Sequence, residues 1–253
     1  MIEIIGLKKQ YSGVLAVDDL NLSVPAGEVF AFLGPNGAGK TTTIRMMMGL
    51  LQPSAGSVRL GGYDLAREPE AAKQLCGFVP DRPHVYDKLT GREFLGFVAG
   101  LYRVSPDEVQ GRAFDLLTLF DLEQFQGELV ETYSHGMKQR LVLAAALIHR
   151  PKILIVDEPM VGMDPRGARL LKRIFRDLAR HGMTVFMSTH SLEVAEEVSD
   201  RVGIINQGRL IACGTVDELR LQAGNQAEDR LEAIFLNLTG GEDVREIVSA
   251  LRA

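Results

Sequence analysis

Residues 32–43 read FLGPNGAGKTTT, with three glycines and a lysine at the point where an apolar run ends and a helical pattern begins. Residues 34–41 of this stretch match G-x-x-x-x-G-K-[ST], and we call them the phosphate loop. A glycine-rich turn at the amino end of a helix allows backbone N–H groups to converge on phosphate oxygens. Lys40 adds a charge at the β and γ phosphates, and the Thr41 hydroxyl is placed to ligate Mg²⁺. The stretch therefore predicts a nucleotide site, with a glycine turn that only caps a helix as the alternative.

Length, composition and charge set the outer limits. The chain has 253 residues, 46% hydrophobic and 24% charged, enough for one large domain or a domain with a subdomain. The formal net charge of −5 gives no sign of a basic face, so we expect no nucleic-acid partner. Cys76 and Cys213 lie far apart without metal-ligand spacing, which favours buried thiols in a reducing compartment over a disulfide. The longest clean apolar run, residues 141–148, is too short for a membrane helix, and residues 1–9 lack the order of a signal peptide.

Short apolar runs alternate with helical stretches along the chain. The predicted strands are EVFAFLG near residue 28, LCGFVP near 75, KILIVDEP near 152, MTVFMSTH near 183 and RVGIINQG near 201. Runs that are apolar at every position fit strands covered on both faces, as in a parallel sheet between helices. We therefore predict an α/β fold with a mostly parallel sheet at its core.

Other parts of the chain are predicted to add to this core. The first 25 residues resemble short strands and turns, which indicates an N-terminal antiparallel β subdomain. Residues from about 82 to 150 are mostly helical and are expected to form a helical subdomain inserted in the core. We predict one domain over residues 1–240, followed by a short helical tail at 241–253.

Two patterns near the end of the chain predict local structure. INQGRLIACGT indicates a hairpin that turns at Gln207 and Gly208. Apolar residues recur at helical spacing at Leu231, Ile234, Phe235 and Leu238. We expect this apolar face to dock on the protein's own core, with a partner contact as the alternative.

Two carboxylates follow the apolar run ILIV. Asp157 is expected at the carboxyl end of a buried strand, where open α/β sheets bind ligands and where it can hold Mg²⁺. Glu158 comes next and can polarise the water that attacks the γ phosphate, which separates hydrolysis from binding alone. Downstream, His190 ends another predicted strand and could contact the γ phosphate, although a lone histidine there is more often structural.

In their order along the chain, these motifs resemble those of the ATP-binding cassette (ABC) ATPases, and the resemblance covers nearly the whole chain. YSHGMKQR, residues 133–140, resembles the signature motif that separates this family from other phosphate-loop proteins, and we call it the signature segment. ILIVDE resembles Walker B, and VGMD, residues 161–164, resembles the D-loop. The resemblance implies a P-loop NTPase core and hydrolysis of ATP with Mg²⁺.

The resemblance also implies a role for each matched residue. Tyr11 would stack on adenine, and Ser134 and Gly136 would face the γ phosphate from the amino end of a helix. Glu158 and His190 would be the catalytic pair. The metal ligands would be Thr41, Asp157 and Asp81. The other nucleotide contacts would be Gly34, Pro35, Asn36, Gly37, Ala38, Gly39, Lys40, Thr41 and Thr42.

Two departures from the family pattern bear on the chemistry. Asp81 stands where the family usually has glutamine, and a carboxylate there could hold Mg²⁺ more directly while adding negative charge beside a triphosphate. The signature segment has His135 and Met137 where the family has glycine and glutamine. Ser134 keeps its hydroxyl and Gly136 its bare backbone, so the essential donors remain.

The resemblance implies partners as well. In this family the signature segment closes over the nucleotide of an opposite subunit, so we expect a second copy of the chain, or a paralogous cassette, to complete each site. VPDRPHVYDKLTGREFL, residues 79–95, and the tail RLEAIFLNLTGG look like the branch that serves separate membrane subunits of the ABC-2 export type. We expect a cytoplasmic protein held at the inner face of the membrane by an integral-membrane permease.

Two other functions are weighed against the transporter subunit. A soluble cassette protein that acts on ribosomes, DNA or a protein assembly often carries two cassettes or long insertions, and this sequence has one cassette and neither addition. A phosphate-loop kinase needs an acceptor pocket and has no use for the signature segment. The transporter subunit is therefore the function that the sequence favours.

Overall fold

The computed structural model describes residues 1–222 together with Leu231 and Phe235. The strands in this part of the chain are β1 (Ile2–Tyr11), β2 (Val14–Val24), β3 (Val29–Leu33), β4 (Ala55–Leu60), β5 (Tyr63–Asp64), β6 (Cys76–Val79), β7 (Ile153–Asp157), β8 (Thr184–Thr189), β9 (Arg201–Asn206) and β10 (Arg209–Gly214). The α-helices are α1 (Lys40–Met47), α2 (Pro69–Gln74), α3 (Gly91–Leu101), α4 (Pro106–Leu119), α5 (His135–Leu147), α6 (Pro165–Arg180), α7 (Leu192–Val198) and α8 (Val216–Gln222).

A mostly parallel sheet forms the centre, as the sequence predicts. Its strand order is β10-β9-β3-β8-β7-β6, and only β10 runs antiparallel to its neighbour. Every residue of β3, β7 and β8 is buried, because hydrophobic clusters cover both faces of these strands. The carboxyl ends of β3, β6, β7 and β8 therefore meet at one edge, where ligands bind in open α/β sheets.

The antiparallel sheet is larger than the first 25 residues predict. Its strand order is β2-β1-β4-β5, so residues 55–64 join the N-terminal hairpin. Gly56, the second residue of β4, has a φ of 84°, and a Cβ there would lie 2.3 Å from the carbonyl oxygen of Gly6 in β1. The two strands approach closely at this point because the position has no side chain.

The helical region lies between β6 and β7, where the sequence predicts an insertion. Helix α3 begins with a capping box in which Thr90 and Glu93 satisfy each other's backbone N–H groups. Helix α5 packs directly against β6, and a Cβ on Gly77 would lie 2.3 Å from the carbonyl oxygen of Ala146. One hydrophobic cluster runs from the sheet into these helices, which ties the signature segment firmly to the core.

The predicted hairpin and part of the predicted tail are present. Gln207 and Gly208, with φ values of 47° and 78°, form the two-residue turn between β9 and β10. Leu231 is fully buried, and Phe235 packs against the same cluster, as expected of an apolar face that docks on its own core. Ile234, Leu238 and the tail at 241–253 lie outside the described residues. In the part of the chain that the structure describes, no helix has the length and apolar character needed to cross a membrane.

Candidate nucleotide-binding site

The phosphate loop connects β3 to α1 and depends on glycine for two different reasons. Gly37 and Gly39 have φ values of 81° and 106°, a backbone region that side chains rarely adopt. A Cβ on Gly34 would lie 2.3 Å from the carbonyl oxygen of Ile205, and one on Gly39 would lie 2.5 Å from that of Ala16. Glycine therefore allows the bend of the loop at Gly37 and Gly39. It allows close packing against the rest of the protein at Gly34 and Gly39.

The turn between β9 and β10 is hydrogen-bonded to the phosphate loop. The N–H of Gly208 donates to the carbonyl oxygen of Ala38 at 2.9 Å. The Gly208 carbonyl in turn accepts a 2.9 Å bond from the N–H of Asp18 in β2. These bonds hold the loop between the two sheets, so its backbone is positioned before any anion binds.

The amino end of α1 is available to an anion. Gly39 is the N-cap and has no side chain to accept from the first N–H groups of the helix. The first bond of the turn runs from Thr43 N–H to the Gly39 carbonyl, at 2.9 Å. The N–H groups of Lys40, Thr41 and Thr42 come before this bond and have no acceptor within the helix. They can donate to an anion, and the helix dipole favours negative charge there.

Lys40 is buried, and its ammonium group has three oxygen neighbours. Its Nζ donates to the carbonyl oxygens of Gly34 at 2.8 Å and Pro35 at 3.2 Å. It also lies 3.4 Å from Oε1 of Glu158. The positive charge is thus held at the centre of the loop, directly beside the carboxylate that follows β7.

Asp157 is the last residue of β7 and is only 2% exposed. The Ser188 hydroxyl, on the neighbouring strand β8, donates to its Oδ1, and the Thr41 hydroxyl interacts with the same carboxyl group. Burial raises the pKa of Asp157 above its ordinary value, whereas the two hydroxyls lower it and the charges of Asp81 and Glu158 raise it. A bound cation would oppose the effect of burial and favour the charged carboxylate.

Glu158 has an unusual backbone for a residue with a long side chain. Its φ is 49°, in the left-handed region, and its N–H donates to Ser188 Oγ at 3.0 Å. Its Oε2 lies 3.0 Å from Nδ1 of His190. The carboxylate therefore lies between Lys40 and His190, with one oxygen directed to each.

Glu158 and His190 line one open cleft of about 340 Å³. The lining also includes Pro159, Met160, Val161, Thr189, Ser191 and Val194. The His190 side chain is half exposed, whereas that of Glu158 is only 16% exposed. The histidine can therefore meet a molecule that enters the cleft while the carboxylate stays largely shielded from water.

The three predicted metal ligands converge on the same edge of the sheet. Thr41 interacts with Asp157, and the charge of Asp81, which follows β6, acts on the same carboxyl group. In the part of the chain that the structure describes, no cluster of three or more acidic, histidine or cysteine residues could hold a metal. One hydroxyl and two carboxylates are a sparse set of hard oxygen donors. Such a set suits Mg²⁺ that arrives with substrate phosphates and keeps some of its waters.

Tyr11 ends β1, in the antiparallel sheet. Its side chain is 42% exposed, and Lys9 Nζ lies 5.2 Å from the ring centroid. Ala16, farther along the same hairpin, contacts the phosphate loop at Gly39. The hairpin therefore reaches the loop, and its tip offers an aromatic face.

The signature segment is held on the helical region. Ser134 is the N-cap of α5, and its hydroxyl accepts from Met137 N–H at 3.3 Å. Ser134 is exposed and Gly136 is partly exposed. Among the described residues, no hydrogen bond joins either residue to the phosphate loop. The start of the signature helix is thus at the surface of the chain.

Two residues for which the sequence predicted no role of their own join the site to its surroundings. Ser188 contacts both Asp157 and the backbone of Glu158. Gln139, buried in α5, donates through Nε2 to the carbonyl oxygen of Pro159 at 2.6 Å and so connects the signature helix to the loop after β7. Ser188 could have been found as a polar residue within a strand whose positions are all buried, whereas Gln139 has charged neighbours on both sides and gives no such signal.

Comparison with known proteins agrees with this geometry. The family described as "ABC transporter" matches residues 17–161, more than half of the chain. The daunorubicin/doxorubicin resistance ATP-binding protein of Streptomyces peucetius is 41% identical over 224 residues, which are 88% of this chain and 68% of that protein.

Two solved structures are similar over most of the chain. An ATP-binding subunit of an ABC transporter superposes with a TM-score of 0.88 and 33% identity, over 94% of this chain and 99% of that one. A second is an ATP-binding cassette solved as a dimer in a post-hydrolysis state with ADP and Pi. It has a TM-score of 0.76 and 25% identity, over 85% of this chain and 99% of that one.

Proposed function

The chain belongs to the ABC transporter family as an ATP-binding subunit, and from this premise we propose how its residues divide the work. The subunit binds ATP at the phosphate loop, dimerises around two MgATP, and hydrolyses ATP to drive a separate membrane permease. The observation that carries the hydrolytic role is the position of Glu158, which lies between the phosphate-loop lysine and His190.

Phosphate binding is assigned to the loop and to the end of α1. The β and γ phosphates would be surrounded by the ammonium group of Lys40 and by the backbone N–H groups of Asn36, Gly37 and residues 39–42. Lys40 is held by two carbonyl oxygens, so its charge needs little reorganisation when a phosphate enters. The exposed ring of Tyr11 would stack on the adenine base.

Glu158 is proposed as the general base for the attacking water. A carboxylate with one oxygen beside Lys40 and the other beside His190 can accept a proton next to the γ phosphate. His190, being half exposed, would contact the γ phosphate itself and orient it for attack.

The metal site is proposed at Thr41, Asp157 and Asp81. These residues would hold Mg²⁺, which when bound neutralises charge on the β and γ phosphates. The chain supplies the oxygen donors there and keeps the Asp157 carboxyl oriented through its hydrogen bonds.

A second copy, or a paralogous cassette, is proposed to complete each site. Ser134 is exposed and Gly136 is partly exposed at the amino end of α5, where the helix dipole favours a phosphate from outside the chain. A similar cassette has been solved as a dimer with ADP and Pi. Closure on ATP and release after hydrolysis would be the movement that does mechanical work.

The permease is proposed to dock beside the loop that follows β6. Tyr86 is 58% exposed and packs edge-on against the exposed ring of Phe97 at 5.1 Å, which gives an aromatic surface near Asp81. The relative from Streptomyces is named for drug resistance. By analogy we propose an export permease of the ABC-2 type, with this chain cytoplasmic and peripheral on the inner face of the membrane. The names of the relatives favour this function over a soluble regulatory cassette.

Three measurements test the proposal. The purified chain should release phosphate from ATP in a Mg²⁺-dependent manner, and Lys40→Ala should lose nucleotide binding. Lys152→Ala is the matched control, since this exposed lysine lies just before β7, at the opposite edge of the sheet. The tagged chain should also co-purify from detergent-solubilised membranes with an integral-membrane protein. Phosphate release that survives Lys40→Ala would overturn the assignment.

A further inference from the structure

We propose that Ser188 is the positioning residue that orients both carboxylates of this site, Asp157 and Glu158, through a single hydroxyl group. The proposal rests on the proposed function, since it assigns a task to Ser188 within the same site. It goes beyond the motifs of the sequence, none of which includes Ser188.

The register of the sheet places Ser188 beside the carboxylates. It pairs with Asp157 across the parallel strands β7 and β8, near the carboxyl end of each. Its side chain has no solvent exposure. The hydroxyl donates a hydrogen bond to Asp157 Oδ1 and accepts one from the N–H of Glu158 at 3.0 Å. One buried group therefore contacts two adjacent residues that serve different purposes.

Each of the two bonds restrains something that the chemistry needs. The bond to Oδ1 restrains the rotation of the Asp157 carboxyl group, which also interacts with the Thr41 hydroxyl and is the proposed ligand of the cation. The bond from Glu158 N–H holds a left-handed backbone that this residue type seldom adopts. That backbone directs the Glu158 side chain back between Lys40 and His190.

A second buried hydroxyl on β8 shows what a purely structural role looks like. Thr184 is also fully buried, and its hydroxyl accepts from Gly27 N–H at 3.2 Å and donates to the Pro25 carbonyl at 3.1 Å. Both partners are backbone groups, at the opposite end of the strand from the carboxylates. Thr184 therefore matches Ser188 in burial and in hydrogen bonding but has no contact with the site.

Removal of the Ser188 hydroxyl should change the metal requirement. Ser188→Ala leaves the Asp157 oxygen and the Glu158 N–H without their partner. Loss of a group that hydrogen-bonds to a metal ligand and orients it typically lowers metal affinity or activity by about 10- to 100-fold. We expect the Mg²⁺ concentration for half-maximal hydrolysis to rise at least about tenfold and kcat to fall by a similar factor. Affinity for ATP without Mg²⁺ should stay within about twofold, because among the described residues the Ser188 hydroxyl bonds to Asp157 and Glu158 and not to the phosphate loop.

A binding measurement separates this role from a general loss of activity. The affinity of each variant for a non-hydrolysable ATP analogue is measured with and without Mg²⁺, alongside its melting temperature. Wild type should bind the analogue more tightly with Mg²⁺, and Ser188→Ala should lose most of that gain. Thr184→Val should have a lower melting temperature than wild type but should still bind the analogue more tightly with Mg²⁺. Ser188→Thr, which retains a hydroxyl, should recover the Mg²⁺-dependent increase in affinity.

The outcomes distinguish this proposal from the function on which it rests. A wild-type chain that binds no ATP would refute the proposed function. A wild-type chain that binds and hydrolyses ATP, with a Mg²⁺ dependence that Ser188→Ala leaves unchanged, would refute the positioning role alone. The same holds if Thr184→Val alters the Mg²⁺ dependence as much as Ser188→Ala does, since loss of any buried hydroxyl would then explain the effect.

Discussion

Lys40 Nζ lies 3.4 Å from Oε1 of Glu158, so the lysine of the phosphate loop and the carboxylate after β7 meet within one chain. The pair joins two segments that lie more than a hundred residues apart in the sequence. Because the side chains of both residues are mostly buried, they interact in a medium that screens charge less than water does. The proposed base and the proposed phosphate-binding charge are therefore held in fixed relation.

Glu158→Gln should keep ATP binding but lower turnover by at least about a hundredfold, because an amide cannot accept the proton of the attacking water. It should also trap an ATP-bound dimer, which size-exclusion chromatography with ATP would detect. Glu128→Gln makes the same change of charge at an exposed position and serves as the control. Steady-state phosphate release near the wild-type rate would remove Glu158 from the catalytic role.

Asp81→Asn should raise the Mg²⁺ concentration for half-maximal hydrolysis by about tenfold if the carboxylate helps to hold the metal. Nucleotide binding without Mg²⁺ should stay the same or become slightly tighter, since one negative charge beside the triphosphate is lost. Asp107→Asn, at an exposed position in α4, is the control. An unchanged Mg²⁺ titration would count against a metal role for Asp81.

Mixing two inactive variants tests whether each site is built from two chains. Lys40→Ala loses the phosphate charge and Ser134→Arg blocks the signature segment, so neither homodimer should close on ATP. A mixed dimer has one intact site and one doubly damaged site. Random exchange would then leave about a quarter of the wild-type number of sites intact, because about half of the pairs are mixed.

Nucleotide retention is the readout for this mixture, because hydrolysis can require both sites at once. The control is a mixture of Lys40→Ala with itself under the same exchange conditions. If the chains exchange and the mixture retains no more ATP than either variant alone, a site shared between two chains is wrong for this protein.

Gly77→Ala should destabilise the fold by about 1–3 kcal/mol, because the new methyl group would lie 2.3 Å from the Ala146 carbonyl and push α5 away from β6. Gly96→Ala is the matched control within helix α3, where nothing lies within 4 Å of the added carbon. Higher helix propensity should stabilise that variant by roughly 0.5–1 kcal/mol. Urea unfolding of Gly77→Ala and Gly96→Ala measures the difference in the free energy of unfolding. Equal unfolding midpoints would show that α5 and β6 adjust to the methyl group at residue 77 without loss of stability.

His149 should make stability depend on pH between its unfolded pKa and its folded one. Its ring stacks on Tyr102 at 3.6 Å, and its Nε2 donates to the Cys76 carbonyl at 3.1 Å. Burial lowers its pKa from 6.5 to about 4. The unfolded chain therefore binds the proton more tightly, and stability is lost as pH falls from about 6.5 to about 4.

His149→Phe retains a ring beside Tyr102 but has no group to protonate. After allowance for solvent screening at this partly exposed ring, the wild type should lose about 2 kcal/mol more than the variant between pH 7 and pH 4. His181→Asn, at an exposed histidine after α6, is the control and should follow the wild type. The free energy of unfolding in urea is measured as a function of pH. If it falls equally for His149→Phe and wild type, His149 is not the source of the pH dependence.

Much of the fold follows from short stretches of the chain. The glycine-rich turn, the fully apolar runs of β3, β7 and β8, and the turn at Gln207 and Gly208 were all predictable. Each is a local signal, since glycine content and hydrophobic periodicity act over a few residues. Strand β4 was missed because its place beside β1 depends on the bare backbone at Gly56 rather than on a strong pattern of its own.

The sequence by itself determined which residues could do the chemistry, because residue type sets charge, hydrogen-bonding capacity and backbone freedom. Only the tertiary structure decided which of them meet. The contact of Ser188 with Asp157, the ion pair of Lys40 with Glu158 and the bond from Gln139 to Pro159 all cross between separate segments. Strand order and register create these pairs, and they result from the packing of whole apolar faces, for which no single stretch of sequence carries a marker.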